Sequence, residues 1–368
     1  MAYQTISSHA RMALDSVRND AYAHALRWVI GPDSVVLDLG AGTGVFGLMA
    51  ARMGARRVYL VEPTDVLAVA QEIVNANGLQ DVVQCLHGRL EDVVIPEPVD
   101  VIVSVMTGNF LVSEDLLPIL FDARDRLLKP DGHLVPSAAV MEATLVSAPP
   151  VYAANVECWR APQHGVDLSA ARPYAANSLA YGPDGIRDAT FMADPAELLT
   201  LDFRTSTYDA VRATLKMTVT MSGVCDGIAG WFRMQLGDRW LSTSPRADAT
   251  HWSTVYMPVD PPVALEKGEH VTLQIDRQPK GDWAWRLRTP HGARKHSTLL
   301  SAPMSTTTLE KASTQYVPPV NADVAATAVV LSCIDGSASV DSIASSTPAA
   351  ISSWVSQRPL TAPSSTSR

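Results

Sequence analysis

The chain has 368 residues, 47% hydrophobic and 18% charged, with a formal net charge of −9. That length and apolar content suit two globular domains, and the acidic balance disfavours nucleic acid as a partner while favouring a cationic peptide or amine. The opening residues are polar, no run of about 18 apolar residues occurs, and Cys85, Cys158, Cys225 and Cys333 form no CxxC pair. Neither a leader, a membrane span, a metal site nor a disulfide framework is therefore expected, and reduced thiols point to the cytoplasm.

Residues 15–29 read as an amphipathic helix, broken by Gly31-Pro32-Asp33. Residues 34–39, SVVLDL, are an apolar run expected to form a buried strand. Glycines follow, and then a helical stretch over 45–53. Further strands are expected at 57–61, 82–86 and 99–103, with helices at 65–77 and 114–128, the last closed by Lys129-Pro130-Asp131-Gly132. Strands alternating with helices imply a parallel sheet covered on both faces. After about Val140 the helical period fades, and β-rich runs appear at 216–221, 230–236, 253–257, 270–275 and 283–287. Glycine and proline turns separate them, as in an antiparallel sheet or barrel-like domain. A Ser/Thr-rich connector spans about 294–320, and the last residues, 360–368, have a disordered composition.

The strand–helix junction carries Asp38-Leu39-Gly40-Ala41-Gly42-Thr43-Gly44. Glycines there let the backbone approach a ligand closely, and the following helix presents free N–H groups to the same place. A dinucleotide GxGxxG would put its third glycine at position 45, where Val45 stands. The observed GxGxG behind an acid suits a ligand with an amino-acid tail, Asp38 facing its ammonium group. Glu62 ends the second strand, where a carboxylate can hold ribose hydroxyls. Glu91, after the third strand, is placed to accept from an adenine amino group.

These motifs resemble those of the protein arginine methyltransferases, class I enzymes that use S-adenosyl-L-methionine. The opening pattern is His9-x-x-Met12-x-x-Asp15-x-x-Arg18-x-x-x-Tyr22. The stretches LDLGAGTGVFGLMAA and ARDRLLKPDGHLVP are close to the family's forms, as are Leu241-Ser242-Thr243-Ser244-Pro245 and Thr250-His251-Trp252. The resemblance runs from about Tyr3 to Thr289 and implies a Rossmann-like α/β domain followed by an antiparallel β-barrel-like domain. The implied divisions are 1–33, a helical segment closing the cofactor site; 34–139, the cofactor domain; 140–290, a substrate and dimerisation domain; 291–359, a connector with a small helical module; and 360–368, a tail. It implies that Arg18 binds the cofactor carboxylate beside Gly40, Gly42, Gly44, Asp38, Glu62 and Glu91. It pairs Asp15 with His251, which either ties the domains together or relays a proton. Tyr3, Met12, Val105, Met106 and Trp252 fall on the substrate side, with Trp252 either packing against a cationic or planar group or filling the core. It also implies a homodimer, formed through an arm near residues 159–187.

The family's double-glutamate loop aligns with Ser104 to Leu116, and only the second acid, Glu114, is present; Val105 occupies the first position and Met106 follows it. Two carboxylates hold a guanidinium in bidentate fashion and aim one nitrogen at the methyl carbon. Removing one partner from such a buried charged set costs about 3–5 kcal/mol. Three readings stay open: methylation of another nucleophile, such as an amine, hydroxyl or carboxylate of a peptide, protein or small natural product; arginine methylation with another carboxylate reaching the site; or cofactor binding without catalysis. Residues 328–343 carry a helix, an Asp-Gly turn and a second helix, read either as a generic hairpin or as a small winged-helix module.

Overall fold

The computed structural model describes residues 6–208 and 210–300. Two N-terminal helices, α1 (Ile6–Ala13) and α2 (Ser16–Val29), precede an α/β unit of β1 (Val35–Leu39), α3 (Val45–Arg52), β2 (Arg57–Glu62), α4 (Val66–Ala76), β3 (Val83–His87), β4 (Val99–Ser104), α5 (Leu117–Leu127) and β5 (Leu128–Val135). The strands form one parallel sheet in the order β3-β2-β1-β4-β5. Every residue of β1 is buried, as expected of a central strand covered on both faces. The chain leaves β1 on one side for β2 and β3, and β4 returns to its other side. Ligands bind in the crevice outside the carboxyl ends of the strands at such a reversal.

Two details differ from expectation. The helix expected from Glu114 begins at Leu117, because Asp115 takes a left-handed φ of 53° and Pro118 suits only a first turn. The Lys-Pro-Asp-Gly run is not a turn but part of β5, which pairs with β4 across an irregularity between Val99 and Val101.

The second domain is antiparallel. It comprises β6 (Ala138–Ser147), α6 (Pro149–Asn155), α7 (Arg172–Ala175), β7 (Ala180–Tyr181), β8 (Thr190–Phe191), β9 (Ala196–Asp202), β10 (Val211–Thr218), β11 (Gly223–Leu236), β12 (Arg239–Ser242), β13 (Val255–Leu265), β14 (His270–Arg277), β15 (Trp283–Thr289) and β16 (Gly292–Ser297). One sheet runs β7-β13-β11-β6-β8, with β12 on β11 and β9 on β6; the other runs β10-β14-β15-β16. The run expected at 216–221 starts five residues earlier, at Val211, where Val211, Ala213 and Met217 point inward at strand period. The sheet also passes the expected boundary at 290, since β16 pairs with β15 from Gly292 to Ser297. Among the described residues no helix is long and apolar enough to cross a membrane. Tyr3, the segment 328–343 and the tail lie outside the described residues.

Between β6 and β9, residues around α6 and α7 pack on the outside of the second domain, burying Val151, Tyr152, Val156, Ala176 and Ile186 against Trp231 and Tyr256. Arg172 clasps this segment to β13: its guanidinium donates to both carboxylate oxygens of Asp260, at 3.0 and 2.7 Å, and to Glu157.

Candidate active site

A cavity of about 360 Å³ opens at the carboxyl ends of β1, β2 and β4. Its floor is the glycine loop. Gly40 and Gly42 have φ of 72° and 56°, and the Gly40 and Ala41 amides donate to the Val61 carbonyl at 2.9 and 3.0 Å. A Cβ on Gly42 would stand 3.0 Å from His9 Nδ1, and one on Gly40 would stand 2.9 Å from the Met106 methyl. The loop is therefore gripped from both sides, and side chains there would fill the cradle.

Glu62, at the end of β2, lines the cavity and braces this loop. One of its oxygens accepts from the Gly42 amide at 3.0 Å, and the other accepts from the Thr64 amide and hydroxyl at 2.9 and 2.7 Å. Three of about four lone-pair positions are taken, leaving one towards the cavity.

Asp38 does something other than expected. Its carboxylate is 1% exposed, absent from the cavity wall, and accepts from the Gly47 amide of α3 at 2.7 Å. It thus satisfies a first-turn N–H that Gly44, the N-cap, has no side chain to reach. Burial pushes its carboxyl up to about 7, and the Gly47 bond opposes this. Gly44 likewise supports the loop from behind, against Leu48 and Leu60. Glu91 is exposed and stands away from the cavity. Asp38, Gly44 and Glu91 are thus not among the residues lining this cavity: Asp38 turns to the first turn of α3, Gly44 packs behind the loop, and Glu91 is exposed on the turn after β3.

The N-terminal helices supply the other wall. Asp15 caps α2, accepting from the Arg18 amide at 3.0 Å. Its second oxygen accepts from both the main-chain N–H and Nδ1 of His251, at 2.7 and 3.0 Å. Burial weighs most on Asp15 and pushes its carboxyl upward, but these hydrogen bonds outweigh it and hold the group below the usual carboxylate range. His251 is held down to about 4, chiefly by burial, so the imidazole is neutral and its Nδ1–H donates to Asp15. Arg18 is 3% exposed; its guanidinium lies 4.9 Å from the Phe46 ring and donates to the Met12 carbonyl and to Asn19. Phe46 stacks on Tyr22 at 4.2 Å.

A further wall is the loop between β4 and α5. Val105, Met106, Thr107, Asn109 and Glu114 line the cavity. The Trp252 indole N–H donates to the Thr107 carbonyl at 2.9 Å, and the Ser253 amide donates to Asn109 at 2.8 Å. Trp252 also meets Phe232 edge-on, so it serves as packing as well as cavity wall. Arg277 of β14 grips Asp115 with both guanidinium nitrogens, at 2.9 and 2.6 Å. Phe110 is fully buried and stacks on Trp283 at 5.0 Å. These anchors hold left-handed φ values at Phe110, Leu111 and Asp115. Gly108 leaves room for Glu114: a Cβ there would lie 2.8 Å from its Cβ and Cγ.

The cavity thus gathers Arg18, Gly40, Gly42, Glu62, Met12, Val105, Met106, Glu114, His251 and Trp252, and Asp15 stands directly behind His251. It also includes His9, Phe46, Thr64, Thr107 and Asn109, which sequence reasoning did not assign. His9 had a signal, lying three residues before Met12 on one helix face. The cradle fits a sulfonium nucleoside with an amino-acid tail: a glycine floor, a carboxylate with acceptor capacity left, and a buried guanidinium.

A parallel sheet of this order with this loop defines a nucleotide-binding domain. Residues 36–132 match a family model described as a methyltransferase domain, and residues 137–289 match one described as the arginine methyltransferase oligomerization subdomain. The probable protein arginine N-methyltransferase 6 of Arabidopsis thaliana is 35% identical over 76% of this chain and 75% of its own length. The arginine N(omega)-methyltransferase of Streptomyces achromogenes subsp. streptozoticus is 33% identical over 73% of this chain and 75% of its own. Among solved structures, the Trypanosoma brucei PRMT1 enzyme–prozyme heterotetrameric complex with AdoHcy superposes with a TM-score of 0.71 at 24% identity, covering 81% of this chain and 99% of that one. The chain belongs to the protein arginine methyltransferase family and is an S-adenosylmethionine-dependent methyltransferase.

Proposed function

We propose that this enzyme methylates an amine or hydroxyl of a peptide, protein or small molecule. The observation that carries the reading is the acceptor wall: Glu114 lines it, while Val105 and Met106 stand where a second acid and its neighbour are expected from the family pattern. A single carboxylate balances one positive charge and repels an acceptor carboxylate. It cannot hold a guanidinium in the two-acid manner. S-adenosylmethionine would lie with its carboxylate at Arg18 and its ribose at Glu62, and it supplies the electrophilic methyl carbon when bound. The protein's own share is alignment. The glycine loop and Arg18 fix one reactant, while Glu114 and the anchored loop fix the other.

The test is transfer from radiolabelled donor to lysine, serine and arginine, each free and in a short peptide. Label on lysine or serine acceptors supports the reading, and Val105→Glu then fails to improve that reaction. Label on arginine alone, raised sharply by Val105→Glu, overturns it. Tight cofactor binding with no label on any acceptor also overturns it, in favour of a binding protein.

Arginine as acceptor is the second reading. It is favoured by Glu114 in the wall and by the names of the relatives, one of which is an arginine N(omega)-methyltransferase. A homodimer is proposed from the match to an oligomerization subdomain, with residues 159–187 as its arm; a monomeric mass by light scattering would refute it. A cytoplasmic setting suits the free thiols of Cys85, Cys158 and Cys225.

A further inference from the structure

Besides Glu114, the loop between β4 and α5 puts the half-buried carboxamide residue Asn109 into the cavity wall. Its Oδ1 accepts from the Ser253 amide at 2.8 Å. A main-chain N–H can only donate, so this bond fixes which way the carboxamide is turned and leaves Nδ2 over. Nδ2 donates to none of the described residues, and it is not one of the unpartnered atoms that the protein encloses. Glu114 stands near it. The glutamate carboxyl carbon would lie 3.0 Å from a Cβ on Gly108, which puts it within about 8 Å of the Asn109 Cα. That span is on the scale of a single amino acid.

The two groups have opposite chemistry. An ionised carboxylate only accepts, and a carboxamide nitrogen only donates. A guanidinium or an ammonium has no acceptor atom, so neither can hydrogen-bond Nδ2, and its partner has to be an oxygen. Arg11 indicates the charge of that oxygen. It is exposed on α1, lines the same cavity and makes no ion pair among the described residues. Burial is the main reason why the His251 imidazole stays neutral, and the Arg11 charge adds to that effect, so this cation is felt inside the site. The cofactor brings one carboxylate, already assigned to Arg18. A second cation at the cavity favours an anionic group on the acceptor.

We propose that the methyl acceptor carries a carboxylate, remote from its nucleophile, which accepts from Asn109 Nδ2 and is favoured by the charge of Arg11. The nucleophile lies at Glu114 and the carboxylate on the Asn109 side, so the two acids do not meet. Such an acceptor is a free amino acid or the C-terminal residue of a peptide. The assignment deepens the amine-or-hydroxyl reading and rests on it for the place of the nucleophile.

The experiment measures transfer from radiolabelled donor to free lysine, lysinamide and a short peptide ending in lysine, with the matching serine and arginine compounds alongside. Wild type is compared with Asn109→Asp and Arg11→Gln. Aspartate keeps an oxygen for the Ser253 amide but loses the donor and adds a repelling charge, so a merely structural Asn109 would leave the acid-to-amide preference unmoved. Wild type should prefer the free acid to its amide about tenfold or more in kcat/KM. That preference should fall at least about tenfold in Asn109→Asp and about two- to fivefold in Arg11→Gln, with melting temperature and cofactor affinity retained. Arg11→Gln, at an exposed position, carries the test if Asn109→Asp disturbs folding. Transfer to the peptide as fast as to free lysine places the carboxylate at a chain end, and transfer to free lysine alone makes the acceptor a free amino acid. Lysine or serine labelled without preference for the acid, or with a preference unchanged in both variants, overturns the carboxylate assignment and leaves the reaction class standing. Label on arginine compounds alone overturns the reaction class, while the acid-to-amide ratio on arginine still decides the carboxylate. If nothing is labelled, calorimetry of the same pairs on enzyme loaded with S-adenosylhomocysteine decides, and equal or absent binding of acid and amide overturns the assignment.

Discussion

Asp15 and His251, 236 residues apart, are joined by two hydrogen bonds to a single carboxylate oxygen, while the other oxygen caps the helix that carries Arg18. One side chain thus sets the start of α2, the loop after β12 and the position of the Arg18 guanidinium. The imidazole is neutral, which makes this a hydrogen-bonded brace rather than an ion pair.

Replacing Asp15 by alanine removes the cap and both bonds to His251. The expected loss is about 2–4 kcal/mol, roughly 1 for the cap and the remainder for buried donors left unpaired. Thermal unfolding should show it, accompanied by weaker cofactor binding. An unchanged midpoint would mean that the brace contributes nothing.

The pH dependence of this brace has a definite sign. The His251 pKa falls from about 6.5 unfolded to about 4 folded, so the stability it contributes is present above 6.5 and is lost as pH falls towards 4. His296, also held down to about 4 by burial, acts in the same direction. Asp38 and Asp226, pushed up by burial to about 7 and about 6, act in the opposite one. The informative quantity is therefore the difference in melting temperature between wild type and His251→Gln. Wild type should lead at pH 7.5, and the gap should narrow steadily between pH 6.5 and 4. A constant gap would contradict the neutral imidazole.

Arg277 is 5% exposed and grips Asp115 on the loop between β4 and α5. Asp115→Asn should cost about 2–3 kcal/mol, the low side for breaking a buried pair because Asp115 retains some water access. It should also raise the acceptor KM by loosening the loop that holds Glu114, while cofactor affinity stays within about twofold. Chemical denaturation and steady-state kinetics report the two effects separately.

Arg18→Met keeps the packing over Phe46 and removes the guanidinium. Losing a charge-assisted hydrogen bond to the cofactor carboxylate should weaken binding about 10- to 100-fold. Equal affinity by calorimetry would remove Arg18 from the cofactor site.

Glu114→Gln should reduce transfer about 10- to 100-fold with cofactor affinity retained. Gly108→Ala should have a similar effect by a different route, since its Cβ would meet Glu114 at 2.8 Å and displace it. If Gly108→Ala transfers as well as wild type, Glu114 does not need its present position.

The parallel sheet and the glycine loop were legible in the residues themselves. A central strand covered on both faces must be largely apolar, and the turn after it must accept left-handed backbone, so SVVLDLGAGTG declares both its strand and its ligand loop. Glu62 was legible from its place at the end of the second strand, and the pairing of Asp15 with His251 only as motif positions. The destination of Asp38 was not legible: an acid at a strand end looks alike whether it faces a ligand or the first turn of a helix, and only the placement of α3 over β1 sent it to Gly47. Glu91 is exposed because its turn carries it away from the cavity, which local sequence does not encode. Thr107 was invisible as a site residue, since a threonine in a loop has no periodic signal. That it lines the cavity is decided by everything packed around its loop. Sequence alone determined the backbone chemistry of the cofactor loop, because that chemistry is local. Which side chains reach the acceptor depends on how the Arg277–Asp115 and Trp252–Thr107 contacts draw one loop against a distant domain, and that was decided only in three dimensions.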